Sequence, residues 1–393
     1  MKRIVSIAAS IALCVALTGC GTVAAAANET SAKEETASAY VAAQADPAAD
    51  VNITLSDGGS KADGNNVRID SSTITITAAG TYRITGTLTN GQIVVDAEDA
   101  KVVLLLDGVS VTAKGTAALY VAEADKVTLS LAEGSENALA STGEFADSEG
   151  KIDAAVFSKD DVTVTGSGAL TVTSETGHGI VSKDDLKIKN GTLTVTAAGK
   201  GLVGNDSVDI SGGVITVTAG TDAIHCENTE EADKGTVTIT DGSLTLTAGN
   251  DGIDASGAIT IEGGVFQIDS GSAMGTQDSG KGIKSAQNIT IDGGTFLIDA
   301  KDDGIHSDAS ITITGGQFAV TSKDDGIHAT SLVQIDGGDI GISAVEGVEG
   351  TYVRVTGGEL RIQASDDGIN AGRKSNDYTP TVEVSGGDRK SVV

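Results

Sequence analysis

The chain has 393 residues with 52 Gly, 2 Pro and no Trp, and its 55 acidic against 26 basic side chains give a formal net charge of −29. So acidic a surface repels a phosphate polymer, which excludes a nucleic-acid binder and favours cations or cationic partners. A hydrophobic fraction of 39% excludes a disordered acidic tail, and with only 3% aromatics the core has to be built from Val, Ile, Leu and Ala. Gly- and Thr-rich, Pro-poor composition predicts many short strands joined by tight turns.

Residues 1–20 read as an export signal. Lys2 and Arg3 open it, the apolar run from Ile4 to Leu17 is short for a membrane span, and Leu17-Thr18-Gly19-Cys20 follows. The last four residues resemble a bacterial lipobox, which implies cleavage before Cys20 and lipid attachment to its thiol. The protein is then expected outside the cytoplasm, held to the membrane by the lipid alone; an ordinary signal peptide cleaved nearby is the alternative. Cys14 leaves with the signal and Cys226 is the remaining thiol, so no intrachain disulfide is expected. Residues 21–50 lack an apolar period and are expected to form a flexible linker.

From residue 51 to 387 the sequence repeats. Gly168, Gly191, Gly213, Gly242, Gly264, Gly294, Gly316, Gly338, Gly358 and Gly387 each precede an alternating run, mostly at steps of 20 to 23 residues. A Gly or Ala before an aliphatic residue keeps the same beat, as in Gly282-Ile283, Gly304-Ile305 and Gly326-Ile327. Each unit holds three pieces of period two separated by Gly and Asp turns, which predicts an all-β, right-handed parallel β-helix of about 22 residues per coil. The register puts an aliphatic ladder inside (Val156, Ile180, Leu202, Ile224, Ile253, Ile283, Ile305, Ile327, Val348, Ile369) and a column of small residues beside it that includes Cys226. Phe266, Phe296 and Phe318 fall at positions where other units carry Ile or Leu, and are expected to stack internally. Polar insertions at 227–235, 270–279 and 372–380 are expected to project as loops and to wall a groove.

The turn before the Gly-Ile piece carries Asp222, Asn250-Asp251, Asp302-Asp303, Asp324-Asp325 and Asp366-Asp367. Coils about 4.8 Å apart bring such carboxylates into one volume, where they repel unless a cation joins them. Ca²⁺ suits them, since it takes six to eight hard oxygen ligands. The alternative is that Asp favours these turns because its side chain bonds nearby backbone N–H groups. Outward from the ladder come His225, Asp254, Lys284, His306, His328, Glu349 and Asn370. His306 and His328 are read as exposed positions that bond a neighbour or a ligand, with shared Zn²⁺ or Cu²⁺ as the second reading. Lys281 and Lys284 among the Asp residues are read as alternating charge. A lysine base beside Ca²⁺, as β-elimination of a polyuronide needs, is the competing reading.

Two stretches carry a family resemblance. Gly80-Thr81-Tyr82-Arg83-Ile84-Thr85-Gly86-Thr87-Leu88, with Gly91-Gln92-Ile93-Val94-Val95-Asp96 and Val103 to Val109, and the segment from Phe157 to Gly168, resemble the bacterial carbohydrate-binding family founded on a clostridial cellulose- and pectin-binding protein. The Asp-Asp-Gly-Ile-His units at 302–306 and 324–328 are similar to its repeat. The resemblance implies a parallel β-helix similar to polysaccharide lyases, bound Ca²⁺ on the repeat's Asp residues, and binding of acidic plant polysaccharide and cellulose without established cleavage. Glu346-Gly347-Val348-Glu349 and Lys281 depart from the motif. Without Trp and with the Phe residues inside, the chain is expected to hold a pectate-type glycan through Ca²⁺. A Ca²⁺-dependent lyase and a structural surface rod are the alternatives. Residues 388–393 lack repeat character and are expected to be a non-native tail on a truncated frame.

Overall fold

The computed structural model describes residues 40–146, 151–271 and 279–386 in full and 388–392 by their backbone. The chain divides into Met1–Thr36, outside the described residues together with Cys20, and Ala37–Val393. The described residues are all-β, their strands joined into one sheet in which nearly every pairing is parallel.

Alternation in the sequence becomes alternation of burial. In Thr236–Ala248 the Val, Ile and Leu positions are buried while the Thr residues between them face out, because successive side chains of a strand point to opposite faces. Each strand pairs in register with its counterpart one repeat on. The ladder Ile180, Leu202, Ile224, Ile253, Ile283, Ile305, Ile327, Val348, Ile369 forms as expected. It also runs back from Val156 through Leu119 and Ile93 to Ile74, across units too irregular in length to align by sequence. In-register stacking superposes like side chains: Phe266, Phe296 and Phe318 are buried, with ring centroids 4.6 and 4.5 Å apart and planes within 6°. Cys226 is fully buried in the small column between Gly204 and Ala255.

Gly before Ile is a packing requirement. A Cβ on Gly304 would sit 2.3 Å from Val320 Cγ1 and 2.6 Å from the Gly326 carbonyl oxygen, so a side chain there would push successive repeats apart.

The N-terminal end departs from the pure parallel pattern. Lys61–Ala62 pairs antiparallel with Val51–Leu55, and Val67–Asp70 antiparallel with Thr73–Ile76. Both folded-back strands occupy the side of their partner that no later repeat covers, which blunts a pairing edge. Residues assigned to the linker make tertiary bonds near its C-terminal end. The Ala42 N–H donates to Asn190 Oδ1 at 2.9 Å, Asn190 Nδ2 donates to the Ala42 carbonyl at 2.7 Å, and Asp46 Oδ1 accepts the Glu133 N–H at 3.0 Å. At the other end Asp388–Val392 does continue the repeat in its backbone, pairing in parallel with Glu359 to Gln363. The composition of that stretch hid this, since Arg389 and Ser391 take the register positions of Leu360 and Ile362.

Candidate functional site

Asp222, Asp251 and Asp303 are buried in the turn before an aliphatic piece, and one oxygen of each is structural. Asp222 Oδ1 accepts the Asp251 N–H at 3.2 Å, Asp251 Oδ1 the Lys281 N–H at 2.8 Å, and Asp303 Oδ1 the Asp325 N–H at 3.0 Å. Each Asp thus satisfies a backbone donor of the next repeat, in a turn where strand pairing has stopped. The second oxygen is left to face the outward ladder.

That ladder runs His225, Asp254, Lys284, His306, His328, Glu349, Asn370 in register. Its members are less exposed than the sequence suggests: His225, His306 and His328 side chains keep 13, 14 and 16% of their surface, and Glu349 only 7%. Burial is tolerable because the basic members face carboxylates of the turns: Lys284 meets Asp251, His306 meets Asp303 and His328 meets Asp325. His306 Nδ1 lies 2.7 Å from Asp303 Oδ2 and its Nε2 3.1 Å from Asp308 Oδ1. His328 packs its ring edge-on to His306 at 4.8 Å and approaches Asp303, Asp325 and Glu349 at 3.5 to 3.6 Å. Lys284 Nζ sits 3.3 Å from Asp251 and 3.2 Å from Asp254, while Lys281 bonds Asp302 and lies 3.7 Å from Asp303.

The charges follow these contacts. Burial pushes the Asp303 carboxyl up, but His306, His328 and Lys281 more than offset it and hold it well below the usual carboxylate range. Asp325 is buried beside it with less compensation, so burial and the Asp303 charge push it up to about 8. For Lys281 and Lys284 burial favours the neutral amine, yet the surrounding Asp carboxylates win and raise both. Ammonium groups so paired hold their protons, which counts against the lysine-base reading.

Asp302, Asp303 and Asp324 each offer an oxygen within 4.8 Å of the others. They adjoin a polar cleft of about 320 Å³ lined by Gly271, Ser279, Gly280, Lys301, Asp302, Lys323 and Asp324. The donor set is all oxygen and Asp324 is exposed, which fits a hard cation approached from the cleft side. Two exposed lysines, Lys301 and Lys323, have no ion-pair partner among the described residues and project beside the carboxylates. Sequence reasoning passed over them, although Lys-Asp-Asp-Gly-Ile-His is written twice, at 301–306 and 323–328. Three further groups contain histidine: Asp303 with His306 and His328, Asp222 with His225 and Asp254, and Asp325 with His328 and Glu349.

The remaining expected ligands separate from these groups. Asp251 is fully buried and its oxygens are taken by Ser279, the Lys281 N–H and Lys284. Asp366 and Asp367 are exposed and join no such group among the described residues. The insertions reach the charged ladder and its turns: Glu227 lies 3.7 Å from His225 and pairs with Lys183 and Lys200, Ser279 bonds the turn residue Asp251, and Lys374 bonds Glu349 at 2.9 Å. Residues 272–278 of the middle insertion lie outside the described residues.

A family model described as "carbohydrate-binding domain-containing protein" matches residues 70–326 and 310–391. A protein of that same description from Acetivibrio thermocellus is 38% identical over 204 residues, which is 50% of this chain; the match spans 66% of the relative's length. Among solved structures, a polysaccharide lyase-like protein from C. thermocellum, studied as a gadolinium derivative, is 30% identical. That alignment covers 76% of this chain and 96% of the other, with a TM-score of 0.49.

Proposed function

The chain belongs to the family of carbohydrate-binding domain-containing proteins, and from that premise we propose that it binds an acidic polysaccharide of the pectate type with Ca²⁺ as the bridge. The observation that carries the reading is the placement of Asp302, Asp303 and Asp324 beside a cleft that also presents Lys301 and Lys323. A glycan of negative charge meets a protein of charge −29, so attraction has to come from a local reversal of sign. A hard divalent cation on the three carboxylates and the two ammonium groups supply one. When bound, the cation accepts uronate oxygens in its remaining positions, while the lysines pair with neighbouring carboxylates of the polymer. A neutral glucan would need exposed aromatic faces; the three-Phe stack is internal, and among the described residues the exposed ring is that of Tyr378, packed beside Tyr352 and away from the three carboxylates in sequence.

The wider reading is a right-handed parallel β-helix of about 22 residues per coil, lipid-anchored through Cys20 at the bacterial surface. In-register pairing one repeat on supports the first part, and the Leu17-Thr18-Gly19-Cys20 sequence supports the second. Binding is favoured over lyase chemistry because Lys281 and Lys284, the amines closest to the carboxylates, are each held in ion pairs. Affinity electrophoresis in polygalacturonate gels, with Ca²⁺ and with excess chelator, tests the reading. Retardation only with Ca²⁺ is expected; equal retardation in chelator, or release of unsaturated uronides, would overturn it.

A further inference from the structure

We propose that Asp222, His225 and Asp254 form a second, chemically different metal site, selective for a borderline divalent ion of the Zn²⁺ kind. His225 Nδ1 lies 3.3 Å from Asp222 Oδ2 and 3.2 Å from Asp254 Oδ2, yet it makes a hydrogen bond to neither and is shut off from solvent. At such distances only direction can be at fault, so the nitrogen is aimed squarely at neither oxygen. The spacing is instead that of ligands around a common centre. Bonds of about 2.0–2.2 Å in tetrahedral geometry set ligand atoms about 3.3–3.6 Å apart.

The surroundings anchor each ligand by its other polar atom. Asp222 Oδ1 is held by Asn250 Nδ2 at 2.7 Å and by the Asp251 N–H, leaving Oδ2 for the site. Asp254 Oδ1 is held by Lys284 at 3.2 Å, again leaving Oδ2. Glu227 Oε2 lies 3.7 Å from His225 Nε2, on the side where a carboxylate keeps the proton on Nε2 and the Nδ1 lone pair free. Outer partners of this kind orient metal ligands and raise their basicity. Two more buried polar atoms without partners, Thr221 Oγ1 and Asn250 Oδ1, belong to the same pair of turns. One imidazole and two carboxylate oxygens are too few and too soft for Ca²⁺, which takes six to eight oxygens, and suit Zn²⁺. In the Asp303 group Oδ2 already bonds His306 at 2.7 Å; His328 Nε2 is likewise buried without a hydrogen bond, but its carboxylate neighbour, Glu349 Oε2 at 3.6 Å, is already paired with Lys374 at 2.9 Å.

The site is independent of the glycan reading and is tested without glycan. Full-length chain stripped with chelator and titrated with Zn²⁺ is expected to take up one equivalent tightly, in the presence of excess Ca²⁺. Co²⁺ in its place is expected to give the intense visible absorption of a low-coordinate ion. His225→Ala should weaken Zn²⁺ binding at least tenfold, while His306→Ala keeps the tight equivalent. Should His225→Ala fail to fold by circular dichroism, Asp254→Asn carries the same expectation. Absence of a tight equivalent in the wild-type chain, or its persistence in the folded His225 or Asp254 variant, would overturn the proposal.

Discussion

Asp303 ties two repeats together through Asp325: its Oδ1 accepts the Asp325 N–H at 3.0 Å while its Oδ2 holds His306. Asp303→Ala therefore leaves a buried N–H and a half-buried imidazole without their acceptor. Losing one partner of a buried, bonded charge pair costs about 3–5 kcal/mol. Asp303→Asn keeps an amide oxygen for the N–H and is expected to lose less than half of that. Urea midpoints of the two variants in chelator check the order; equal losses would show that the backbone bond is not what Asp303 supplies.

The stack of Phe266, Phe296 and Phe318 makes a separate prediction about shape. Phe296 is buried between two parallel rings, so Phe296→Ala should cost about 3–5 kcal/mol. The same ladder holds Leu244 before the three rings and Ile340 and Leu360 after them. A branched aliphatic side chain is thus already compatible with this register. Phe296→Leu is expected to cost less than about 1.5 kcal/mol, again read from the denaturation midpoint.

How far the sequence carried the reading depends on which interactions fix each element. The Ile ladder, the Phe stack and the burial of Cys226 were legible because they follow from period two and a constant repeat, which stacking then enforces. The repeats before Val156 were not, since their lengths vary and only pairing reveals that Ile74, Ile93 and Leu119 share the ladder. The acidic turns were legible as clusters but not as a division of labour. That one Asp oxygen belongs to the next backbone N–H and the other to a histidine requires both repeats in three dimensions. Lys374 and Glu227 were beyond reach for the same reason, as each arrives at the ladder from an insertion whose path no periodicity encodes.

Asp325 sets a pH dependence of definite sign. In the metal-free chain burial and Asp303 push its carboxyl up to about 8, whereas the unfolded group titrates near 3.8. Between about pH 4 and pH 8 the folded state keeps a proton that the unfolded state has released. Raising the pH through this window therefore favours unfolding, by at most about 1.4 kcal/mol per pH unit for one proton. Asp325→Asn is expected to flatten the slope of stability against pH in chelator. An unchanged slope would mean that Asp325 ionises normally.

Asp324 separates cation binding from folding. It is exposed and, among the described residues, its carboxylate accepts no backbone N–H as that of Asp303 does, while burial and then Asp303 and Asp302 raise its carboxyl. Asp324→Asn relieves that repulsion and is expected to leave the chelator-treated protein as stable as wild type or a few tenths of a kcal/mol more so. The rise in melting temperature on adding Ca²⁺ should shrink, because a ligand that binds only the folded state stabilises in proportion to its affinity. An undiminished rise would move the Ca²⁺ site away from the 302–324 group.

Lys301 and Lys323 are the groups whose charge the glycan reading depends on and the fold does not. Both are exposed and without ion-pair partners among the described residues, so Lys301→Glu with Lys323→Glu should lower stability by no more than about 1 kcal/mol, the repulsion that the added carboxylates bring to Asp302 and Asp324. Reversing two exposed charges that face a polyanion is expected to weaken polygalacturonate binding by about 1–3 kcal/mol, roughly five- to 150-fold. The loss should grow at low ionic strength, where charges a Debye length apart are least screened. Ca²⁺ affinity, by contrast, should hold or rise, since the added carboxylates lie beside Asp302 and Asp324. Gel retardation of the double variant together with a Ca²⁺ titration resolves the two effects. Retained glycan binding with intact Ca²⁺ affinity would place the polymer elsewhere on the molecule.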